Sequence, residues 1–328
     1  MKHLKWLSAI LDNPKSKYGL ILIALLVLFA CIGPFLVVDP TQSLARPHQA
    51  PNLSHFFGTT GQGQDVLAQT IVGAGPTLFI GFTVGILVTL IGALVGVLAG
   101  YLGGLIDELL TALINVFLVI PGLPLAIILA AYLPTGMLSM ILILTFTGWA
   151  WTARVIRAQT LSLRDKDFIK SAQVIGEPLW RILIIELLPH MASLLLSTFI
   201  GTTIYAIGAQ VGLEFLGLGD MGSVTWGTNL YWAANDQALL TRAWWTYVPT
   251  GLSIALVGFA LALINFGLDE VTNPRLTVDR IWRHRLQAMG YTFSRASVYI
   301  GQKQVHDFSQ PSSPQALESA EKGGNDEA

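Results

Sequence analysis

Residues 170–189 of the chain read KSAQVIGEPLWRILIIELLP and lie between two long apolar runs, with charged residues on both sides. Gly176 suits the left-handed turn that often ends a helix, and Pro178 suits the first turn of the next one. The stretch therefore predicts a helix, a glycine turn and a second helix on a water-exposed face of a membrane protein.

The first of these helices has a start signal and an amphipathic pattern. Ser162 and Asp165 have the spacing of a capping box. Four apolar residues then fall on one helix face, namely Phe168, Ile169, Ala172 and Ile175. We expect a short amphipathic hairpin that lies parallel to the membrane, although this pattern is also typical of a purely interfacial helix.

The composition places the chain in a membrane. Of its 328 residues, 53% are hydrophobic and only 12% are charged, against about 25% charged residues in soluble domains. The net charge of −1 gives no sign of a nucleic-acid partner. Cys31 is the single cysteine, so an internal disulfide or a thiolate metal cluster is excluded.

Six apolar runs are long enough to cross a bilayer, which takes about 20 residues of helix. They cover residues 18–38, 76–100, 109–133, 137–158, 191–213 and 247–268. The prediction is an all-α polytopic membrane protein with six transmembrane helices. Residues 1–17 precede a transmembrane domain of residues 18–276, the hairpin belongs to a loop of residues 159–189, and residues 277–328 form a tail.

The basic residues predict the orientation. If the N-terminus is cytoplasmic, all but Arg46 and Arg242 of the 19 Lys and Arg residues fall on the cytoplasmic side, as the positive-inside rule requires. Both termini and the hairpin are then cytoplasmic in a multi-pass protein of the cell (inner) membrane. The loops around residues 39–75 and 214–246 face outward.

Two expectations concern the ends of the chain. The first apolar run also resembles a signal peptide around Cys31, but it continues to Val38, which favours an uncleaved first span. In the tail, a basic cluster is expected to contact anionic membrane lipid, namely Arg280, Arg283 and Arg285. The chain from about Ser309 is expected to be disordered.

Glycine and proline predict details of two spans. Glycines recur every fourth residue in the second span, which favours the close approach of a neighbouring helix. They are Gly81 and Gly85, followed by Gly92, Gly96 and Gly100. In the third span, Pro121 and Pro124 each remove a backbone donor, so a kink or a break is expected there.

The two predicted outer loops differ in character. Asp65 follows a glycine-rich turn and is expected to cap a short helix. The second loop is rich in aromatic residues, namely Trp226, Tyr231, Trp232, Trp244, Trp245 and Tyr247. Such rings are typical of an interfacial belt, and a stacking or docking surface for a partner or a sugar ring is the alternative.

The hairpin resembles a loop found in the permeases of binding-protein-dependent ABC importers. That loop reads E-A-A, then Gly four residues after the last Ala, then I-x-L-P at a fixed distance. Here Lys170-Ser171-Ala172, Gly176 and Glu186-Leu187-Leu188-Pro189 keep the register. Lys170 stands where the family has Glu, Ser171 where it has Ala, and Glu186 where it has Ile.

The resemblance extends from about residue 12 to residue 276 and is closest to the second, C-type subunit of the dipeptide, oligopeptide and nickel group. Matching segments occur in the family's order at Asn13-Pro14, Gly58 to Val66, Ala99 to Gly104, Leu161 to Arg164, Phe215 to Gly219, Trp226-Gly227 and Asn273-Pro274-Arg275-Leu276. Within the second segment, Thr60 replaces the family's Asp and Gln64 its Arg.

The resemblance implies a mechanism and a set of partners. The hairpin would be a coupling helix seated in a groove of a cytoplasmic ATPase. The partners would be a second homologous permease, two cytoplasmic ATP-binding subunits and an extracytoplasmic solute-binding protein. The residues that the resemblance assigns to ATPase coupling are Arg164, Asp167, Lys170, Ser171, Ala172, Gly176, Leu188 and Pro189.

Other functions fit the sequence less well. The chain has no G-x-x-x-x-G-K-[ST] loop, so ATP must bind elsewhere. Residues 217–220 resemble the G-x-G-D motif of intramembrane proteases, but no second aspartate lies in a span to complete a dyad. A secondary transporter needs charges in its spans, and only Arg154 and Arg157 are expected there. No catalytic residue, metal site or cofactor is predicted.

The solute is the least determined feature. Peptides are the default for the group, and oligosaccharides are the alternative that the aromatic outer loop mildly favours. Nickel would need histidine or carboxylate ligands in the membrane. The polar residues of the fifth span are expected to line the pore, with helix packing as the alternative role; they are Thr202, Thr203, Tyr205 and Gln210.

Overall fold

The predicted apolar runs form the long helices of the computed structural model, which describes residues 13–43 and 45–272. The helices are α1 (Pro14–Ile32), α2 (Val66–Leu102), α3 (Gly104–Val119), α4 (Gly122–Tyr132), α5 (Met137–Arg164), α6 (Asp167–Ile175), α7 (Ala192–Phe215), α8 (Trp226–Asn235) and α9 (Val248–Thr272). Shorter helical segments are Gly33–Phe35, Leu179–Arg181, Ile182–Leu187, Leu188–His190 and Trp244–Thr246. The expectations for the first residues and for the tail lie outside the described residues.

Five or six spans are available for the six predicted. Within the described part of the chain, five continuous helices are long and apolar enough to cross a membrane, and α3 with α4, here called the broken span, counts as a sixth if the bent pair crosses as one. Helical structure dominates, and the β-type pairing recorded for these residues is an isolated bridge between Thr59 and Asp65. The prediction of an all-α polytopic membrane protein is confirmed.

The predicted defect in the third span is a sharp break. The helices α3 and α4 are bent by 80° relative to each other. Ile120 has an extended backbone (φ −77°, ψ 124°), and Pro121 directly precedes α4. A residue before proline is pushed out of the helical region by the proline ring, and Pro121 has no N–H to donate. The break at Pro121 is thus confirmed.

The second span begins earlier than the apolar run suggests. Asp65 caps it as predicted, because its Oδ1 accepts the backbone N–H of Ala68 at 2.9 Å. The capped helix is not short, however: α2 has 37 residues and continues through Pro76. Val66, Ala68 and Ile71 are buried against other segments, and this packing carries the helix through a proline that was expected to mark its start.

The glycines of α2 bring two helices into close contact. A Cβ atom on Gly96 would lie 2.6 Å from the carbonyl oxygen of Ala153, and one on Gly100 would lie 2.9 Å from that of Arg157. No side chain fits at those distances, so α2 and α5 touch through their backbones. Close packing is confirmed, and α2 with α5 forms the most extensive helix pair among the described residues.

The remaining helices surround α2. Residues of α1, α2, α7 and α9 share one buried apolar cluster, represented by Ala30, Leu78, Ile207 and Leu261. The unit so formed ends at Leu268 within α9. We call the end of this unit that carries α6 the hairpin end, and the opposite end, which carries α8 and residues 39–65, the far end.

Candidate functional site: the hairpin, the α7 face and two carboxylates

The hairpin begins after a break that the sequence did not predict correctly. The helix α5 runs through Ser162 to Arg164, and α6 starts only at Asp167, with Lys166 in the cap position and no side-chain cap. The capping box at Ser162 is therefore wrong. Thr160 is fully buried in the last turns of α5, and this tertiary packing extends the helix past the local start signal.

The turn after α6 forms as predicted. Gly176 has a left-handed backbone with φ +83° and ψ 26°. Its N–H donates to Gln173 O at 3.0 Å, and the N–H of Glu177 donates to Ala172 O at 3.1 Å. These two bonds make a Schellman motif, which satisfies the last carbonyl groups of the helix. Pro178 then immediately precedes the helical segment Leu179–Arg181.

One side of the hairpin packs on the bundle. Ile169 and Ala172 are buried in a cluster that also holds Ile156 of α5 and Leu187 of the returning segment. Phe168 is partly buried against the same cluster. The predicted stripe is therefore confirmed for three residues and wrong for the fourth, because Ile175 is 78% exposed.

Polar and aromatic contacts add to this packing. Phe168 stacks on His190 with ring centroids 4.4 Å apart. Gln173 Nε2 donates to the hydroxyl of Tyr101 at the end of α2, at 2.9 Å. Arg164 Nη1 donates to the carbonyl of Gly100 at 3.3 Å. The hairpin is thus attached to α2, to α5 and to its own second limb, and these contacts hold it firmly against the bundle.

The other side of the hairpin is bare and apolar at its tip. Val174 is 88% exposed and Ile175 is 78% exposed, and they are the last two residues of α6. Asp167, Lys170 and Ser171 are also exposed along α6. A solvent-facing apolar tip on a short, well-anchored helix is typical of a surface that a partner covers.

The second limb returns to the bundle through a widened helix. Ile182–Leu187 is a π-helical segment, and Leu188–His190 follows it directly. Pro189 has no N–H to donate. A missing backbone donor and a π-helical turn are both common causes of a kink in a helix. Leu188 packs against the hairpin cluster and Pro189 is half-buried. Both predicted residues therefore lie at the base of the hairpin.

The predicted pore residues of α7 face two directions. Tyr205 is exposed and Thr202 is half-buried. Thr203 and Gln210 are fully buried within the subunit, and Thr203 lies at the close approach to Gly85 of α2. The hydroxyl groups of Thr202 and Thr203 donate to the carbonyl of Phe199, one turn earlier in α7.

The exposed side of α7 is a continuous stripe at helical spacing. It consists of Gly201, Tyr205, Gly208, Gly212 and Phe215. No described atom lies within 4 Å of a Cβ position on any of the three glycines. We call this stripe the α7 face; it presents helix backbone and one tyrosine ring to whatever lies beside the subunit.

Glu214 is a buried carboxylate that the sequence analysis missed. It is 4% exposed near the end of α7. Its oxygens accept from Gln210 Nε2 at 3.0 Å and from Thr225 Oγ1 at 2.6 Å. The apolar run stops at residue 213, and only the tertiary structure shows that α7 includes this charge.

A second missed carboxylate lies near the hairpin end. Asp107 in the first turn of α3 accepts from Arg157 Nε at 2.5 Å and from Arg157 Nη2 at 2.7 Å. Arg154 Nη2 donates to Asn115 Oδ1 at 2.8 Å on the same seam. The expectation that Arg154 and Arg157 are the only charges in the spans is therefore wrong, because the broken span carries Asp107.

The aromatic residues at the far end do not form one surface. Trp226 is 1% exposed, and its Nε1 donates to Thr70 O of α2 at 2.9 Å. Trp245 Nε1 donates to Thr59 O at 3.2 Å, which joins the two loops of the far end. Trp232 and Trp244 remain exposed. Neither an interfacial belt nor a docking surface accounts for Trp226, which is a core residue.

The structure is a helical membrane bundle with a firmly anchored, partly exposed hairpin at one end and an exposed, glycine-lined helix beside it. This arrangement is typical of a membrane-embedded transport subunit. The chain belongs to the family described as binding-protein-dependent transport system inner membrane component, whose model matches residues 92–278. The matched range includes the last 11 of the 37 residues of α2, the hairpin, α7 and α8. Family membership confirms the class that the hairpin motif indicated and makes the chain a permease component.

The chain is also similar to individual permeases. It is 32% identical over 279 residues to the oligopeptide transport system permease protein OppC of Bacillus subtilis, covering 83% of this chain and 90% of the relative. It is 32% identical to the dipeptide transport system permease protein DppC of the same organism over 269 residues, or 80% and 83% of the two chains. A putative peptide transport system permease protein of Brucella suis is 32% identical over 266 residues, or 80% and 88%.

Proposed function

We propose that this chain is one of two membrane-spanning subunits of an ATP-driven importer of peptides. Its partners would be a second permease of the same family, two cytoplasmic ATP-binding subunits and an extracytoplasmic solute-binding protein. The observation that carries the proposal is the hairpin, in which a buried inner side fixes Ile169 and Ala172 while Val174 and Ile175 project from the protein.

The hairpin supports coupling because it is stiff and partly uncovered. A groove on an ATP-binding subunit would cover Val174 and Ile175, and the exposed Lys170 and Ser171 would lie at the edge of that contact. Arg164, Asp167, Gly176, Leu188 and Pro189 would hold the hairpin shape or its base. A displacement of the groove then reaches α5 and α7 as a rigid-body movement.

The orientation follows from the positions of the charges. Arg164, Lys166, Lys170 and Arg181 lie at the hairpin end, whereas Arg46 and Arg242 lie in loops of the far end. The positive-inside rule then puts the hairpin end in the cytoplasm. We infer that both termini are cytoplasmic and that α8 faces outward.

Peptides are the preferred solute because the similar permeases are named for peptide, oligopeptide or dipeptide transport. The same names do not favour the oligosaccharide alternative. We infer that the α7 face lines the path, with Tyr205 and Thr202 at its surface and Thr203 and Gln210 in the layer behind it. An accessible backbone along the glycines would provide carbonyl groups to a peptide's own amides.

The experiment is ATP-dependent uptake by the assembled transporter in liposomes, with its binding protein and either a labelled oligopeptide or a labelled oligosaccharide. Peptide uptake that needs ATP supports the proposal. Uptake driven by a membrane potential without ATP, or uptake of the oligosaccharide alone, would overturn it.

A variant pair tests the hairpin itself. Ile175→Asp puts a charge on the exposed tip, and we expect uptake to fall at least about tenfold because a buried contact cannot hold an unpaired charge. Ser162→Asp puts the same charge on an exposed residue of α5, outside the hairpin, and should leave uptake unchanged. Equal uptake by the two variants would contradict the role of the hairpin tip.

A further inference from the structure

The helix that follows the hairpin is a continuous rod. Met191, just before α7, is buried in the same cluster as Ile169 and Leu187 of the hairpin. From there α7 runs for 24 residues, or about 36 Å, without a proline. The anchor at Met191 is thus joined to Glu214, near the other end of α7, by helix that no proline interrupts.

The outer helix α8 is held from two sides. Towards α2, Trp226 donates its backbone N–H to Thr77 Oγ1 at 3.1 Å, and Asn229 Nδ2 donates to Gln69 O at 2.9 Å. Towards α7, the N-cap residue Thr225 donates its hydroxyl to Glu214. The carboxylate thus joins α8 to the helix that continues from the hairpin.

The contact with Glu214 is close and specific. Thr225 is the N-cap of α8, and its hydroxyl donates to the carboxylate at 2.6 Å. A Cβ on Gly227 would lie 2.6 Å from the Cβ of Glu214. An anion at the N-terminus of a helix is favoured by the free N–H groups there, so a carboxylate suits this junction.

We propose that Glu214 is a positioning residue that fixes α8 to α7, so that displacement of the hairpin reaches the outer face as a movement of α8. This inference rests on the proposed function. It gives the transporter a direct mechanical link from the ATP-binding side to the surface where a solute-loaded binding protein arrives. Gln210, one turn earlier in α7, orients the carboxylate from the opposite side.

The test uses the complete transporter and measures ATP hydrolysis with and without peptide-loaded binding protein. Glu214→Ala should keep the basal rate of ATP hydrolysis, but stimulation by the loaded binding protein should fall roughly tenfold. This factor corresponds to one lost hydrogen bond to a charged group. Thr225→Val, which removes a single donor, should lose part of it. Asp220→Ala is the matched control, because that exposed carboxylate caps only the turn at Gly222.

The conservative variant separates positioning from charge. Glu214→Gln keeps an acceptor for Thr225. Its new amide donor can meet Gln210 Oε1, which is buried and has no hydrogen-bond partner among the described residues. We expect the Gln210 side-chain amide to flip so that its Oε1 faces the new donor. Glu214→Gln should then keep near wild-type stimulation of ATP hydrolysis. Loss of stimulation in Glu214→Gln equal to that in Glu214→Ala would overturn the positioning role.

The remaining outcomes are also decisive. Wild-type stimulation in an assembled Glu214→Ala transporter would sink the inference and leave the proposed function standing. If Glu214→Ala does not assemble, Thr225→Val decides, since full stimulation in that variant also rejects the link. Absence of stimulation in the wild-type transporter by any peptide-loaded binding protein would instead reject the proposed function.

Discussion

Arg157 of α5 donates two hydrogen bonds to the carboxylate of Asp107 of α3, from Nε to Oδ1 at 2.5 Å and from Nη2 to Oδ2 at 2.7 Å. Both side chains are partly buried, at 26% and 19% exposure. The pair lies 50 residues apart in sequence and fixes the start of the broken span against the helix that leads into the hairpin.

Loss of this ion pair should destabilise the subunit. Asp107→Ala leaves a partly buried guanidinium without its partner, and we expect a loss of about 2 kcal/mol, less than for a fully buried pair. The control is Glu177→Ala, which breaks the more exposed pair with Arg181 and should change stability by less than about 1 kcal/mol. Thermal unfolding of the purified proteins in detergent measures both, and equal shifts would contradict the prediction.

The turn at Gly176 should depend on its left-handed backbone. Gly176→Ala should weaken the hairpin by about 1–2 kcal/mol, because a Cβ disfavours positive φ. Gly176→Pro also removes the N–H that donates to Gln173 O, and uptake should be lost although the protein stays in the membrane. Gly176→Asn is the matched control, since asparagine tolerates this conformation. Normal uptake by the proline variant would show that the turn is not needed.

The close contact between α2 and α5 predicts a contrast between two glycines. Gly96→Ala would place a methyl group against the carbonyl of Ala153, so the helices must separate at an expected loss of about 1–3 kcal/mol. Gly258→Ala adds the same methyl group to α9, where no described atom lies within 4 Å, and should be neutral or stabilising. The free energy of unfolding in detergent distinguishes them, and a smaller loss for Gly96→Ala than for Gly258→Ala would be the opposite result.

Two aspartates at the far end should respond to pH in opposite directions. Burial raises the pKa of the Asp236 carboxyl above 3.8, against an opposing attraction from His48. The Asp236 carboxyl therefore contributes to stability below pH 3.8, and this contribution is lost as the pH rises through the pKa of the folded state. Hydrogen bonds from Thr41 lower the pKa of Asp39 below 3.8, so its contribution is present above 3.8 and is lost as the pH falls.

Asparagine variants test these signs. The melting temperature of wild type minus that of Asp236→Asn should decrease between about pH 4 and pH 7, because only the wild type gains the buried charge. The corresponding difference for Asp39→Asn should be nearly constant above about pH 5 and should fall as the pH is lowered below about 4. A difference for Asp236→Asn that rises with pH would contradict the assignment of burial as the dominant cause.

Some of these features were within reach of the sequence. Long apolar runs identify the spans because a membrane helix must bury about 20 residues in lipid. Pro121 and Gly176 act on their own backbone, so their effects appear at the residue itself. The glycines of α2 could be placed on one helix face from spacing alone, although the partner helix could not be named.

Other features depend on the tertiary structure. The start signal at Ser162 is local and was overridden by the packing of Thr160 and its neighbours. Glu214 and Thr225 are joined across a loop, with no periodic pattern to connect them. Asp107 precedes the apolar run of residues 109–133, and only its contact with Arg157 shows that it belongs to the bundle. Exposure of Ile175 follows from the angle at which α6 docks, which spacing cannot fix.

The length of α2 has a consequence for the lipid environment. Its 37 residues span about 55 Å, whereas the hydrocarbon core is about 30 Å thick. Both extremities are shielded by protein, at Val66 and Ala68 on one side and at Val97 and Ala99 on the other. The helix α2 can therefore span a thicker or a thinner bilayer without adjustment. Hydrophobic mismatch falls on the shorter peripheral helices instead.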